Sequence, residues 1–287
     1  MRLPLIQPPP TTPFGWHISA PPVPLLRSAL LDGLDGLRHA FTTRNGGVSA
    51  APYAALNLGL HVGDAAEAVV ANRAAVAAAL GLDAGALVLA EQVHGADVAV
   101  VGSADRGRGA LRPATALPGC DVLVTAEPGV ALVALAADCV PILLADPVRR
   151  TAAAVHAGWR GTVAGAAGAA VRAMAALGSR PGDVRAAIGP CIGVEHYDVG
   201  GDVADAAAAA WPDDAARWIV DRRGATAFDL AAANRDQLVA AGLAPDHVAM
   251  CGISTAGDVG TWFSHRAEGG RTGRQAGIVG WAPGTTG

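Results

Sequence analysis

All 21 basic residues of this chain are arginine, and lysine does not occur. Its absence removes Schiff-base chemistry, lysine general bases and the P-loop mode of phosphate binding. Any anion must be met by guanidinium groups, backbone N–H groups or a metal. GC-rich codon usage accounts for the absence itself, and the chemical consequence holds either way. Long apolar runs are missing too. No stretch of ~18 strongly apolar residues occurs, so no transmembrane helix is expected. Prolines interrupt the segment after Arg2, where a secretory signal needs a continuous apolar region. A net charge of −4 with no basic stripe argues against nucleic acid as a partner. The four cysteines, Cys120, Cys139, Cys191 and Cys251, form no C-x-x-C pair. A zinc ribbon or thioredoxin site is thereby excluded. Widely spaced thiols suit a reducing compartment, so a cytoplasmic location is expected.

What is present is apolar but small. Hydrophobic residues make up 52% of the 287, too many for a disordered chain, and much of that share is alanine. Residues 1–24 carry "QPPPTTP" and "APPVP" and read as an extended proline-rich tail. One domain is expected over 25–287. "LRHAFTTR" (37–44) reads as a strand. "GDAAEAVVANRAAVAAALG" reads as a helix with Asp64 and Glu67 in a capping-box pattern; Val69, Val76 and Leu80 share a face, and Gly81 stops it. Residues 86–101 read as two strands broken at Gln92–Gly95, and 105–119 as a loop. From 121 onward, "DVLVT", "VALVALAAD", "PILLAD" and "TAAAVHAG" are short apolar runs bounded by Pro, Gly or Asp. They read as strands buried on both faces. Helices are expected over 162–177, 201–210 and 229–241, with Asp229 as N-cap of the last and Asn234 facing inward. "VRAAIGPCIG" and "QAGIVGW" read as further strands. Strands and helices mix without a strict βαβ repeat, which indicates one α/β or α+β domain.

Three segments end an apolar run in a soft or nitrogen donor: "EQVHG" (His94), "AADCVP" (Cys139) and "VHAGWRG" (His156). Strand ends converge on one rim of a sheet, so these residues can meet. Two imidazoles and a thiolate are a set typical of zinc, and three protein ligands leave a fourth position open for catalysis. Taken singly, each histidine reads as structural and the cysteine as a packed free thiol. The same atoms allow a rival assignment: Cys139 as thiolate nucleophile, His156 or His94 as base, and Asp138 orienting a histidine. Arginines among glycines form a second class: Arg44 in "TTRNGGVS", Arg160 in "GWRGT", Arg266 in "FSHR", and Arg271 and Arg274 in "GGRTGR". Guanidinium binds phosphate or carboxylate bidentately, and an exposed surface arginine is the plain alternative. "GWRGT" opens a helix, whose N–H groups would add to an anion site. Trp159 reads equally as a pocket wall and as packing. "IGPCIG" (188–193) reads as a tight turn with a packed thiol or as a ligand-facing turn.

Together, "HAFTTRNGGVS", "NLGLHVGD…ANR", "EQVHG", "ADCVPILLAD", "AVHAGWRGT", "IGPCIG…YDV", "DLAAANRDQL" and "FSHR…GRQAGIV" resemble, over about 39–280, the laccase domain-containing family once described as multicopper polyphenol oxidase. That family is now described as purine nucleoside phosphorylases with adenosine deaminase activity, and includes a peptidoglycan editing factor. The resemblance implies an α+β fold of four layers, α/β/β/α, with mixed sheets. It implies a metal site, zinc and in some reports copper, with His94, Cys139 and His156 as ligands. Arg44 and the "GWRG" segment match motifs near that site. A purine nucleoside and phosphate are the implied partners of a monomer or small homo-oligomer, with Arg44, Arg160, Trp159 and Arg266 toward substrate. Asp138 or Glu91 would supply a proton shuttle, since the H-x-E and P-C-x-x-C deaminase pattern is absent. Two alternatives stay open: amide hydrolysis on cell-wall precursors, from the metal or from Cys139, and copper-dependent phenol oxidation. The latter sits poorly with eight histidines and no H-x-H pair. The chain departs from the family at Gly252, where Thr is frequent, and at Ala267, where a second Arg is frequent. These departures bear on the substrate rim, and the proline-rich tail lies outside the pattern.

Overall fold

Apolar side chains alternate along the central strands between two different cores, and this period of two explains why the runs read as continuously hydrophobic. The computed structural model describes residues 15–283. One mixed sheet holds, edge to edge, Trp16–Ile18 (β1), Leu25–Ser28 (β2), Leu37–Thr42 (β3), Gln275–Trp281 (β14), Ala131–Ala136 (β7) and Leu87–Leu89 (β4). The second holds Val248–Met250 (β13), Arg185–Ile188 (β10), Val140–Asp146 (β8), Thr151–Ala157 (β9), Val122–Thr125 (β6) and Val98–Val100 (β5). A hairpin, Ile219–Arg222 (β11) with Ala225–Phe228 (β12), stands apart. The helices are Ala29–Asp32 (α1), Ala66–Ala79 (α2), Trp159–Val163 (α3), Ala166–Ala176 (α4), Gly201–Ala210 (α5), Ala215–Trp218 (α6) and Leu230–Ala240 (α7).

The sheets pack face to face. Leu132, Ala134 and Val279 of the first meet Leu123, Leu143, Ala152 and Ala154 of the second, with Phe41 and Trp281 filling the wider gaps. Gly277 on β14 is bare because a Cβ there would lie 3.1 Å from Phe41 and 3.2 Å from Leu143. On the outer side of the first sheet, Val133 and Ile278 pack against Val76 and Ala77 of α2 and against Leu80, its C-cap. On the outer side of the second, Ile142, Leu144 and Val155 pack against α4 and α7. The result is the expected four layers, α/β/β/α. Among the described residues no helix is long and apolar enough to cross a membrane.

Several local expectations change. Residues 16–18, read as part of the tail, form β1 and pair with β2, so the ordered fold starts before residue 25. Residues 1–14 of that tail lie outside the described residues. The helix expected over 162–177 is two helices, broken where Gly165 takes φ +79°. The capping box is absent: Ala65 is the N-cap of α2, and Asp64 instead accepts from the Asn57 amide at 2.9 Å. By contrast, Asp229 caps α7 as expected, accepting from the Ala232 N–H at 2.9 Å, and Asn234 is fully buried.

The chain passes between the two sheets at four places: β4 to β5, β6 to β7, β7 to β8 and β13 to β14. The first, third and fourth of these crossings contain His94, Cys139 and Arg266 respectively.

Candidate metal centre and its cleft

The register of β8 with β9 sets Pro141 opposite His156, so Cys139 and His156 emerge side by side at one rim. His94 arrives from the β4–β5 crossing. One ligand atom from each of His94, Cys139 and His156 lies within 4.8 Å of the others, and the two imidazole rings meet edge to face with centroids 4.8 Å apart. The three expected donors are therefore together.

Two features hold them there. Asp121, just before β6, has a fully buried side chain that serves both histidines. Its Oδ1 lies 2.7 Å from His156 Nδ1 and accepts the His94 backbone N–H at 3.0 Å. Its Oδ2 accepts from the N–H groups of Val93 (3.1 Å) and Gly95 (2.7 Å). These bonds hold His94 in a left-handed backbone conformation, φ 64°, which is uncommon for a non-glycine residue. With Nδ1 given to Asp121, His156 keeps Nε2 for a ligand, a common arrangement behind metal-bound histidine. The second feature is Gly158. A Cβ at this position would lie 2.9 Å from His94 Cδ2 and 3.0 Å from Cys139 Sγ. At Gly161 a Cβ would lie 2.8 Å from the Gly95 carbonyl oxygen. The glycines of "HAGWRG" thus make room for the His94 loop.

Electrostatics prepare the same donors. Burial pushes the Cys139 thiol up, but the His156 charge and hydrogen bonds from both histidines outweigh it and bring the thiol down to about 6. Burial likewise opposes the charged form of His156, yet Cys139 and Asp121 lift it to about 9. Burial would raise the Asp121 carboxyl, but the His156 and Gly95 hydrogen bonds hold it below its usual value. A thiolate and two imidazoles fit zinc or another borderline metal, and the pair is equally a polarised thiol in the metal-free protein.

The donors open into a cleft of about 930 Å³. Leu60, Leu89, Pro113, Ala114 and Pro118 give it an apolar wall, and Glu91, Tyr197, His265 and Arg266 line it as well. Arg266 lies with its guanidinium 5.0 Å from the Tyr197 ring centre and donates to the Asp198 carbonyl at 3.1 Å. Other expected residues stand elsewhere. Asp138 orients no histidine: it accepts from Thr255 Oγ1 and from the Arg266 N–H, both at 2.6 Å, and Asp121 takes the orienting role. Arg44 is absent from the cleft walls; it pairs with Glu268 at 3.1 Å, donates to the Ala54 carbonyl and sits over Phe263. Arg160 is exposed and stacked on Trp159 at 4.3 Å, and neither lines the cleft. Trp159 packs against the helical layer instead. Cys191 of "IGPCIG" is a buried core thiol, pushed well up by burial. Of the "GGRTGR" arginines, Arg274 lines the cleft. His61 and Arg73 also line it, and their only signal in the sequence was membership of the "NLGLHVGD…ANR" motif.

Comparison with known proteins gives the chain a family and a fold. Residues 38–282 match the family described as multi-copper polyphenol oxidoreductase laccase. The chain belongs to this family. Within it, the chain is 42% identical over 241 residues to the purine nucleoside phosphorylase YlmD of Geobacillus stearothermophilus, covering 83% of this chain and 88% of that one. It is 42% identical over 264 residues to a purine nucleoside phosphorylase of Deinococcus radiodurans, covering 92% and 95%. The crystal structure of the Geobacillus YlmD superposes with a TM-score of 0.89 at 38% identity, over 94% of this chain and 100% of the other. Bacillus licheniformis YfiH does so with a TM-score of 0.87 at 35% identity, over 93% and 99%.

Proposed function

We propose that this laccase-family protein is a metal-dependent purine nucleoside phosphorylase that also deaminates adenosine. The observation that carries the reading is the His94–Cys139–His156 donor set opening into a cleft with an apolar wall and arginines, in a chain whose relatives bear the phosphorylase name. Phosphate attacks C1′ of adenosine, inosine or methylthioadenosine, the N-glycosidic bond breaks, and the purine leaves with ribose 1-phosphate, or with 5-methylthioribose 1-phosphate from methylthioadenosine. His94, Cys139 and His156 would hold the metal, which when bound supplies Lewis acidity beside the substrate. Zinc suits the mixed N/S donors, and copper competes for the same set. The apolar wall receives the purine face and excludes water. Arg266, stacked on Tyr197, lines the cleft toward the substrate. Glu91 forms no ion pair among the described residues and is the cleft carboxylate assigned to exchange protons with the base. In deamination, water adds at C6 and ammonia leaves, with Glu91 again moving the proton. We assign a cytoplasmic location and a monomeric or small homo-oligomeric state.

The test is phosphate dependence. Metal-loaded protein given adenosine is expected to release adenine and ribose 1-phosphate only when phosphate is added, and inosine without it. No adenine in either case, with bound metal confirmed, overturns the phosphorylase. Cys139→Ala should lose metal and activity together. The Cys139–His156 pair favours one second reading, amide hydrolysis by the thiolate. Full activity after metal removal would select it.

A further inference from the structure

Arg73 is the only arginine among the buried residues described, and its charge meets no carboxylate. Its guanidinium instead donates to the carbonyls of Leu58 (2.9 and 2.6 Å), Gly109 (2.6 Å) and Ala110 (2.8 Å), tying helix α2 to two loops of the cleft. Burial lowers it to about 10, so it stays protonated near neutrality. A desolvated cation stabilised only by carbonyl dipoles leaves a positive potential that an anion can satisfy. Arg274 lies on the same cleft and also has no acidic partner among the described residues. Its Nη1 donates to the carbonyls of Thr272 (3.0 Å) and Gly273 (2.9 Å), which leaves Nε and Nη2 for a ligand. Gly59 is bare beneath its stem: a Cβ there would lie 2.8 Å from Arg274 Cγ. His61 completes the wall at an exposed position. Partial enclosure of its ring first, then the Arg274 and Arg73 charges, pull its pKa down, and all three side chains line the one cavity. The acidic lining residues are Glu91 and Asp138, and Asp138 is consumed by Thr255 and the Arg266 N–H.

We propose that Arg73, Arg274 and His61 form the oxyanion subsite of the cleft, which takes a phosphate dianion through the free Nε and Nη2 edge of Arg274, with Arg73 as a fixed buried charge behind it. The choice of phosphate rests on the phosphorylase reading; the subsite itself rests on the unpaired guanidinium groups. His61, Arg73 and Arg274 line the same cavity as His94, Cys139 and His156, so an anion held there shares the cleft with the metal donors. A planar guanidinium edge grips two phosphate oxygens at once, and the site has no lysine to substitute for it. It also replaces the anion role that the sequence had suggested for Arg44 and Arg160.

The test uses the metal-loaded full chain and two readouts: calorimetric titration with inorganic phosphate alone, and KM for phosphate in adenosine cleavage. Arg73 ties loops together, so the informative variant is Arg274→Gln, whose stem still fits against Gly59. Arg274→Gln should raise Kd and KM for phosphate about tenfold, with KM for adenosine and metal content unchanged. Arg274→Lys should recover part of the loss, and His61→Gln should show a smaller rise. Unchanged phosphate Kd in a folded, metal-loaded Arg274→Gln protein overturns the subsite even if the enzyme is a phosphorylase. Phosphate binding that weakens in Arg274→Gln, with no adenine released by the wild type, keeps the subsite and overturns the phosphorylase.

Discussion

Two buried strand histidines occupy the two sheets and end up as opposite chemical species. His39 on β3 is fully buried, and its Nε2 accepts the Ser28 N–H at 3.2 Å. Burial, followed by the Arg27 charge, lowers it to about 4, although Asp32 pulls the other way from a distance of 4.0 Å. His156 on β9 is as deeply placed but is lifted to about 9, with Cys139 beside it and Asp121 at 2.7 Å. Burial acts against the charged form in both. The outcome is decided by whether anionic partners touch the ring. A buried histidine is thus a neutral packing group by default, and takes up charge where a thiol and a carboxylate from distant segments reach its ring.

The largest effect separates the two directly. His156→Ala should abolish metal binding, measured by elemental analysis of the purified protein, and lower activity by more than about a thousandfold. His39→Gln should retain both metal and activity. The next test reads the stability carried by the neutral His39. Its folded pKa lies below the unfolded value, so the unfolded chain binds the proton more readily. The contribution is full above about pH 6.5 and is lost as the pH falls toward 4, about 3 kcal/mol in all. Urea denaturation at several pH values in that window should show a shallower decline for His39→Gln than for the wild type. Equal slopes would mean that His39 titrates normally. The smallest effect addresses the partner. Asp121→Asn keeps the shape but removes the charge, and should weaken metal affinity about 10- to 100-fold in a chelator competition. An unchanged affinity would show that Asp121 serves the His94 loop alone.

The parts of this molecule legible in its sequence are those written locally. The runs that became β6 to β9 announced themselves by bounded apolar stretches, and Asp229 by its place before a helical pattern. His94, Cys139 and His156 were legible because each ends such a run. Asp121 carried no comparable mark: it is one acidic residue before one strand, and its four hydrogen bonds all go to distant segments. The same holds for His61 and Arg73, which reach the cleft from the segment before α2 and from α2 itself, whereas Arg274 stood among the glycine-flanked arginines and does line it. Arg44 and Arg160 share the glycine-flanked pattern yet lie outside the cleft walls. Flanking glycines look alike whether they admit a ligand or, as at Gly158 and Gly161, another piece of the protein. Asp64 had the spacing of a cap but found a nearer amide in Asn57. In each case a tertiary contact outweighed a local preference.

The chain changes sheets at four places among the described residues, and three of those passages line the cleft. His94, Cys139 and Arg266 therefore belong to neither sheet, but to the seams that join them. A metal ion held by His94, Cys139 and His156 would be a clasp as well as a reagent, because it would tie the β4–β5 passage to the β7–β8 passage. The spacing of the two sheets, set by interior contacts such as Phe41 against Gly277, would then be a dimension of the donor site as well as of the core.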